Sequence, residues 1–151
     1  MNDAGGASAE APIPTVDVLV AGLGPGGCAA ALAARAEGLS TLAVDARGPQ
    51  ATRSQLVLVR PGAQAALRHL GLPDITEGRR TTTIRHVENR LRSALVGAAH
   101  ADASASQDPP QAGSPFERCW NTSVVGLEVG GDRVLVTLRD EVAGVGRTIA
   151  A

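Results

Sequence analysis

Lysine and tyrosine are both absent from this sequence of 151 residues, which also contains a single Phe and a single Trp. With so few aromatic side chains the core must be built from Ala, Val and Leu, which favours helices packed closely on a sheet over an all-β sandwich. All 14 basic residues are Arg, and they nearly balance 15 acidic residues, for a net charge of -1. Because no basic run marks a nucleic-acid or anionic-membrane surface, we expect a small-molecule ligand.

Several other features are also missing. The two cysteines, Cys28 and Cys119, form no CxxC pair, which argues against a zinc cluster or a disulfide framework. No apolar run approaches the length of a membrane span, and the Ala-, Gly- and Pro-rich residues 1–15 lack the basic region of a signal peptide. We therefore predict a cytoplasmic protein with a disordered lead over residues 1–15 and one partial domain over residues 16–151.

Strand and helix signals alternate along that domain, which is typical of an α/β fold with a parallel sheet. A strand over 16–21, a helix over 26–38 and a strand over 41–45 make one right-handed crossover. Residues 101–115, rich in Ala, Ser, Pro and Gln, predict a flexible insertion. The other predicted elements include a helix over 84–99 that is capped by Thr81–Thr83 and has an apolar stripe of Ile84, Val87, Leu91 and Leu95 on one face. They also include an extended stretch at 55–59, a helix over 63–70 that starts near Pro61, strands at 117–120, 123–129, 133–138 and 146–151, and a turn at Gly130-Gly131.

A glycine-rich pattern, Gly22-Leu23-Gly24-Pro25-Gly26-Gly27, lies between the first predicted strand and the first predicted helix. In that context Gly22 permits a sharp turn, Gly24 lets the backbone approach a pyrophosphate, and Gly27 lets the helix pack closely on the strand. The free N–H groups and the positive dipole of the helix start favour an anion. We predict a dinucleotide site at Gly22, Gly24, Pro25, Gly26 and Gly27.

Further candidates for this site follow the second strand. Asp45 ends that strand about 20 residues beyond the loop, where a carboxylate accepts hydrogen bonds from ribose hydroxyls. Ala46 and Arg47 come next and are predicted to border the nucleotide. Arg47, Arg53 and Arg85 are candidates for contacts with its phosphates, because the forked guanidinium suits phosphate oxygens.

No residue carries a pattern that predicts catalytic or metal chemistry. Cys28 follows the loop at a helix start, and we interpret it as a small packed side chain. The three histidines, His69, His86 and His100, have no metal-ligand spacing and no nucleophile pattern beside them. Catalytic residues are therefore not predicted.

The combination of residues 16–27 with Ala31, Gly38 and Asp45 resembles the N-terminus of FAD-dependent oxidoreductases, and most of all the flavoprotein monooxygenases of the aromatic-hydroxylase type. Arg53 and residues 67–72 are similar to the segment that follows the acid in those enzymes. The resemblance implies a Rossmann-like parallel sheet with helices and an antiparallel β-hairpin crossover. It also implies FAD as cofactor, NAD(P)H as electron donor and O2 as the oxidant of a small-molecule substrate whose identity the sequence does not indicate.

Two departures from the family pattern shape our expectations. Asp45 stands where the family more often has Glu, and residues 146–151 resemble the strand before a second FAD motif, a Gly-Asp pair, that the sequence does not reach. We therefore expect a truncated FAD-binding part without a substrate domain, and a separate chain that supplies the missing part. Two alternatives stay open: an NAD-binding Rossmann protein, and a non-catalytic remnant or interaction module whose exposed sheet edge binds another chain.

Overall fold

The computed structural model describes residues 13–49, 54–72, 74–105 and 116–151. Its helices and strands confirm the predicted mixed α/β fold. In chain order they are β1 (Val18–Ala21), α1 (Pro25–Ala36), β2 (Thr41–Asp45), β3 (Leu56–Leu58), α2 (Pro61–His69), β4 (Thr81–Thr83), α3 (Ile84–Ala105), β5 (Phe116–Trp120), β6 (Thr122–Gly130), β7 (Arg133–Asp140) and β8 (Gly146–Ala150).

A parallel sheet of β1, β2 and β5 forms the centre of the fold, with β2 in the middle. Every residue of β2 is buried, as expected for a parallel strand covered on both faces. Helix α1 is the crossover between β1 and β2. Since β1 and β2 are parallel, their carboxyl ends, Ala21 and Asp45, lie at the same edge of the sheet, where α1 begins.

The predicted hairpin crossover is a three-stranded antiparallel sheet in the order β6-β7-β8. Gly130 pairs with Arg133 and belongs to the ladder, so the turn is Gly131-Asp132 and the prediction of Gly130-Gly131 is wrong by one residue. The end of β8 also makes a parallel bridge from Ala150 to Thr15. The antiparallel sheet is thereby joined to the chain just before β1.

Two further predictions need correction around α3. Thr81–Thr83 pair with β3 as an antiparallel strand, although Thr83 Oγ1 still accepts a hydrogen bond from the N–H of His86 at 3.2 Å and so caps the helix. Helix α3 continues to Ala105 and takes in the first residues of the predicted insertion. No Gly or Pro interrupts residues 101–105, so the helical hydrogen bonds continue. Residues 106–115 lie outside the described residues.

Two hydrophobic clusters cover the two faces of the parallel sheet. On one face α1 and α3 pack together through a set that includes Leu32 and three of the four residues of the stripe predicted for α3, Val87, Leu91 and Leu95. The fourth, Ile84, is only partly buried. On the other face the antiparallel sheet covers the strand residues. Each fully buried side chain of this size contributes about 1.5–3 kcal/mol. The central strand and its carboxyl end are thus fixed between two packed layers.

Candidate functional site

The glycine loop joins β1 to α1, and at two of its positions, Gly22 and Gly27, a side chain would not fit easily. Gly22 has φ +98, a left-handed value that side chains disfavour, and its N–H donates to the carbonyl of Val44 at 2.7 Å. A Cβ on Gly27 would lie 1.7 Å from the carbonyl oxygen of Gly22. The helix start therefore packs on the loop itself, which is the role that the sequence predicts for Gly27.

Gly24 and Gly26 differ from Gly27, because a Cβ added at either one would meet no protein atom within 4 Å. Gly24 is the N-cap of α1, it offers no side-chain cap, and Pro25 begins the helix. Within the part of the chain that the structure describes, the N–H groups of Gly26 and Gly27 have no acceptor. The helix start thus presents unpaired donors beside open space, the arrangement that binds phosphate groups.

Asp45 is buried at the end of β2, with 3% of its surface exposed. Its Oδ2 accepts a hydrogen bond from the N–H of Leu23 at 2.8 Å, and its Oδ1 accepts from the N–H of Arg47 at 2.8 Å and from the Arg47 Nε at 3.2 Å. Burial alone would raise the pKa of Asp45, but the bonds from Arg47 and Leu23 outweigh it and leave the pKa below its usual value. The carboxylate is therefore charged and held against the loop.

The predicted site residues divide into three groups. The loop glycines, Pro25 and Asp45 lie together at one edge of the sheet, and Arg47 joins them by its ion pair with Asp45. Ala46 is exposed beside them. Arg85 is exposed on the first turn of α3, and no contact among the described residues connects it to the loop. Arg53 lies outside the described residues.

Sequence analysis missed two charged residues of α3 that lie within the core. Glu88 is 1% exposed and Arg92 is 8% exposed. Arg92 donates to the carbonyl of Leu23 and lies over the ring of Trp120, 4.9 Å from its centroid. The available signal was spacing: Glu88 and Arg92 are four residues apart and directly follow Val87 and Leu91 on the apolar stripe, so both belong to the buried face.

Cys28 is fully buried in the helix layer, and burial raises the pKa of its thiol to about 11. This agrees with the prediction of a packed side chain. Over the described ranges, no three His, Cys, Asp or Glu residues are grouped as metal ligands. None of the helices in those ranges is both long enough and apolar enough to cross a membrane.

Comparison with known proteins also indicates a nucleotide-binding protein. Residues 17–140 match a family model described as an FAD binding domain. A search of curated proteins gives no match. Among solved structures, the chain is similar to the flavin-dependent monooxygenase PieE in complex with FAD and substrate, with 19% identity and a TM-score of 0.76 over 93% of this chain and 30% of that one.

Two further structures share the fold. p-Nitrophenol 4-monooxygenase PnpA from Pseudomonas putida DLL-E4 has 18% identity and a TM-score of 0.70, over 92% of this chain and 40% of that one. The rebeccamycin biosynthetic enzyme RebC with reduced flavin has 15% identity and a TM-score of 0.68, over 93% of this chain and 31% of that one. The chain thus spans between 30% and 40% of the length of these three proteins.

The match to the family model confirms both the predicted resemblance and FAD as the cofactor. The glycine loop fits that cofactor, since it has unpaired amides at a helix start and open space where side chains at Gly24 and Gly26 would lie. This chain belongs to the family of FAD binding domains.

Proposed function

We propose that this chain is the FAD-binding segment of a monooxygenase-type oxidoreductase that uses NAD(P)H and O2. The observation that carries the proposal is the edge of the parallel sheet, where unpaired loop amides and a buried carboxylate lie together. Its likeness in fold to three flavin enzymes, two of them monooxygenases by name, supports the reaction class. When bound, FAD supplies the flavin that takes electrons from NAD(P)H and passes them to oxygen.

The loop residues are proposed to hold the pyrophosphate. The N–H groups of Gly26 and Gly27 donate to its oxygens, and the absence of a side chain at Gly24 leaves room for it. The helix dipole of α1 adds about 0.3–1 kcal/mol for an anion at this end. Because Pro25 has no N–H, it removes one donor that would otherwise need a partner.

Asp45 and Arg47 are proposed to change partners when the nucleotide binds. Both Asp45 oxygens already accept hydrogen bonds: Oδ2 accepts from the N–H of Leu23 and from Arg47 Nη2, and Oδ1 accepts from Arg47 Nε. The Arg47 side chain is 36% exposed and is free to rotate away from the carboxylate without unpacking the core. Ribose hydroxyls then replace Arg47 as donors to Asp45, and Arg47 turns towards the phosphates.

The first test is calorimetric titration of the purified chain with FAD and with NAD. The proposal predicts FAD binding at one site per chain and an affinity for NAD that is lower by at least about tenfold, or 1.4 kcal/mol. Tighter binding of NAD would instead support an NAD-binding Rossmann protein, which uses the same loop mechanics.

A matched pair of variants locates the site. Gly24→Ala adds a methyl group that meets no protein atom, so the folding cost should be limited to the poorer N-cap, about 1 kcal/mol, while FAD binding weakens by at least about tenfold. Gly62→Ala makes the same change in open space on α2, far along the chain from the loop, and should bind FAD as the wild type does. Equal affinity for Gly24→Ala and wild type would contradict the proposed pyrophosphate site.

A second candidate function, an interaction module, is favoured by one observation. Strand β6 pairs only with β7 in the described sheet, and it exposes Val125, Leu127 and Val129, with Val129 80% exposed. An unpaired strand edge with apolar side chains is a template for pairing with another chain. We propose that this edge binds another protein chain; a monomeric mass by light scattering in the presence of a candidate partner would argue against it.

A further inference from the structure

A buried arginine of α3 donates hydrogen bonds to the glycine loop. Arg92 Nη2 donates to the carbonyl of Leu23 at 3.2 Å, with Nε at 3.4 Å from the same oxygen. Its Nη1 donates to the carbonyl of Pro49 at 3.1 Å. One guanidinium therefore connects the loop before α1 with the segment after β2, while its face lies over Trp120 of β5.

Leu23 is consequently held at both of its backbone polar groups. Its N–H donates to Asp45 Oδ2 at 2.8 Å, and its carbonyl accepts from Arg92. Both charged side chains are buried, at 3% and 8% exposure. We call this arrangement, Asp45 to Leu23 to Arg92, the Leu23 clamp.

We infer that Arg92 is a positioning residue for FAD binding, which keeps the loop amides in the geometry that a pyrophosphate requires before the cofactor arrives. The inference rests on the proposed function of the loop. A loop that is already ordered does not lose conformational freedom on binding, so preorganisation is expected to raise affinity. Arg92 thereby contributes to the FAD site through its contacts with the loop.

The fork of the guanidinium is the property that matters, because Leu23 and Pro49 present two carbonyls to one side chain. A Lys ammonium carries the same charge as a compact point and lacks the planar fork that reaches both acceptors while it lies over an aromatic ring. Burying an ammonium with one acceptor unsatisfied is also costly. Arg92→Lys is therefore expected to behave like Arg92→Met and unlike wild type.

The experiment compares Arg92→Lys and Arg92→Met with Arg90→Met, a control on the same helix at a residue with no hydrogen bond to the loop. Two quantities are measured: the exchange rate of the Leu23 amide hydrogen without FAD, and the Kd for FAD by calorimetry. Both Arg92 variants should speed the exchange and weaken FAD binding, each by at least about tenfold. Arg90→Met should leave both quantities at the wild-type values.

Three results would overturn the inference. Wild-type behaviour of Arg92→Lys would show that charge alone is needed. Unchanged Leu23 exchange in Arg92→Met would show that the loop is not held by this side chain, and unchanged FAD affinity despite faster exchange would show that loop order does not matter for binding. If the wild-type chain does not bind FAD, the proposed function is refuted. The exchange rates of the Leu23 amide would still test the Leu23 clamp in that case.

A second variant covers the case in which the Arg92 substitutions do not fold. Trp120→Leu removes the ring beneath the guanidinium and leaves the charge in place. Faster Leu23 exchange and weaker FAD binding in Trp120→Leu would support the clamp. Wild-type values for both would contradict it.

Discussion

Replacing Gly27 by Ala tests the close approach of α1 to its own loop. A Cβ at this position would lie 1.7 Å from the carbonyl oxygen of Gly22 and 2.9 Å from its carbonyl carbon, where real Cβ contacts stay beyond 3.0 Å. The helix and the loop must separate by roughly 1.3 Å, the difference between 3.0 and 1.7 Å. Since backbone has to move, we expect the upper part of the usual overpacking cost, about 3 kcal/mol.

Urea unfolding without FAD measures this cost through the fluorescence of the single Trp. With an m-value of about 2 kcal/mol/M, a loss of about 3 kcal/mol lowers the midpoint by about 1.5 M. Gly26→Ala is the matched control, because its Cβ meets nothing within 4 Å and Ala in a helix is favoured over Gly by about 0.5–1 kcal/mol. Its midpoint should rise by about 0.3–0.5 M. Similar midpoints for Gly27→Ala and wild type would refute the close approach.

Two more predictions follow from buried groups. Asp45→Asn breaks the pair with Arg47 and should lower the free energy of unfolding at neutral pH by about 1–3 kcal/mol. Because the folded pKa of Asp45 is lowered, its contribution to the free energy of unfolding is complete above the unfolded pKa of about 3.9 and is lost as pH falls through the folded pKa. Urea unfolding of wild type and Asp45→Asn at several pH values checks this. A stability difference between the two that persists in strong acid would contradict it. In the folded protein one thiol, that of the partly exposed Cys119, should react with Ellman's reagent, and Cys28 should react only in urea. Rapid reaction of two thiols in the folded state would contradict the burial of Cys28.

Sequence reasoning predicted the parts of this molecule that depend on local pattern. The crossover of β1, α1 and β2 follows from apolar runs separated by glycines, and β2 has the predicted bounds, Thr41–Asp45. The dinucleotide loop was recognisable because its glycines have separate mechanical roles within one short segment. The stripe on α3 followed from helical spacing, and the structure buries Val87, Leu91 and Leu95 but leaves Ile84 partly exposed.

Contacts between distant segments could not be predicted in the same way. Arg92 lies 69 residues from Leu23 along the chain, and no local pattern indicates that the two meet. Thr81–Thr83 form a strand because β3 supplies a partner ladder, a pairing that no local pattern indicates, while Thr83 also caps α3 as predicted.

Backbone amide resonances, followed while FAD is added to isotopically labelled protein, show whether FAD binds at the glycine loop. We expect the largest shifts at Gly24, Gly26 and Gly27, whose amides lie at the helix start, together with changes at Asp45 and Arg47. Shifts confined to other segments, such as the β6-β7-β8 sheet, or no shifts at saturating FAD, would contradict it.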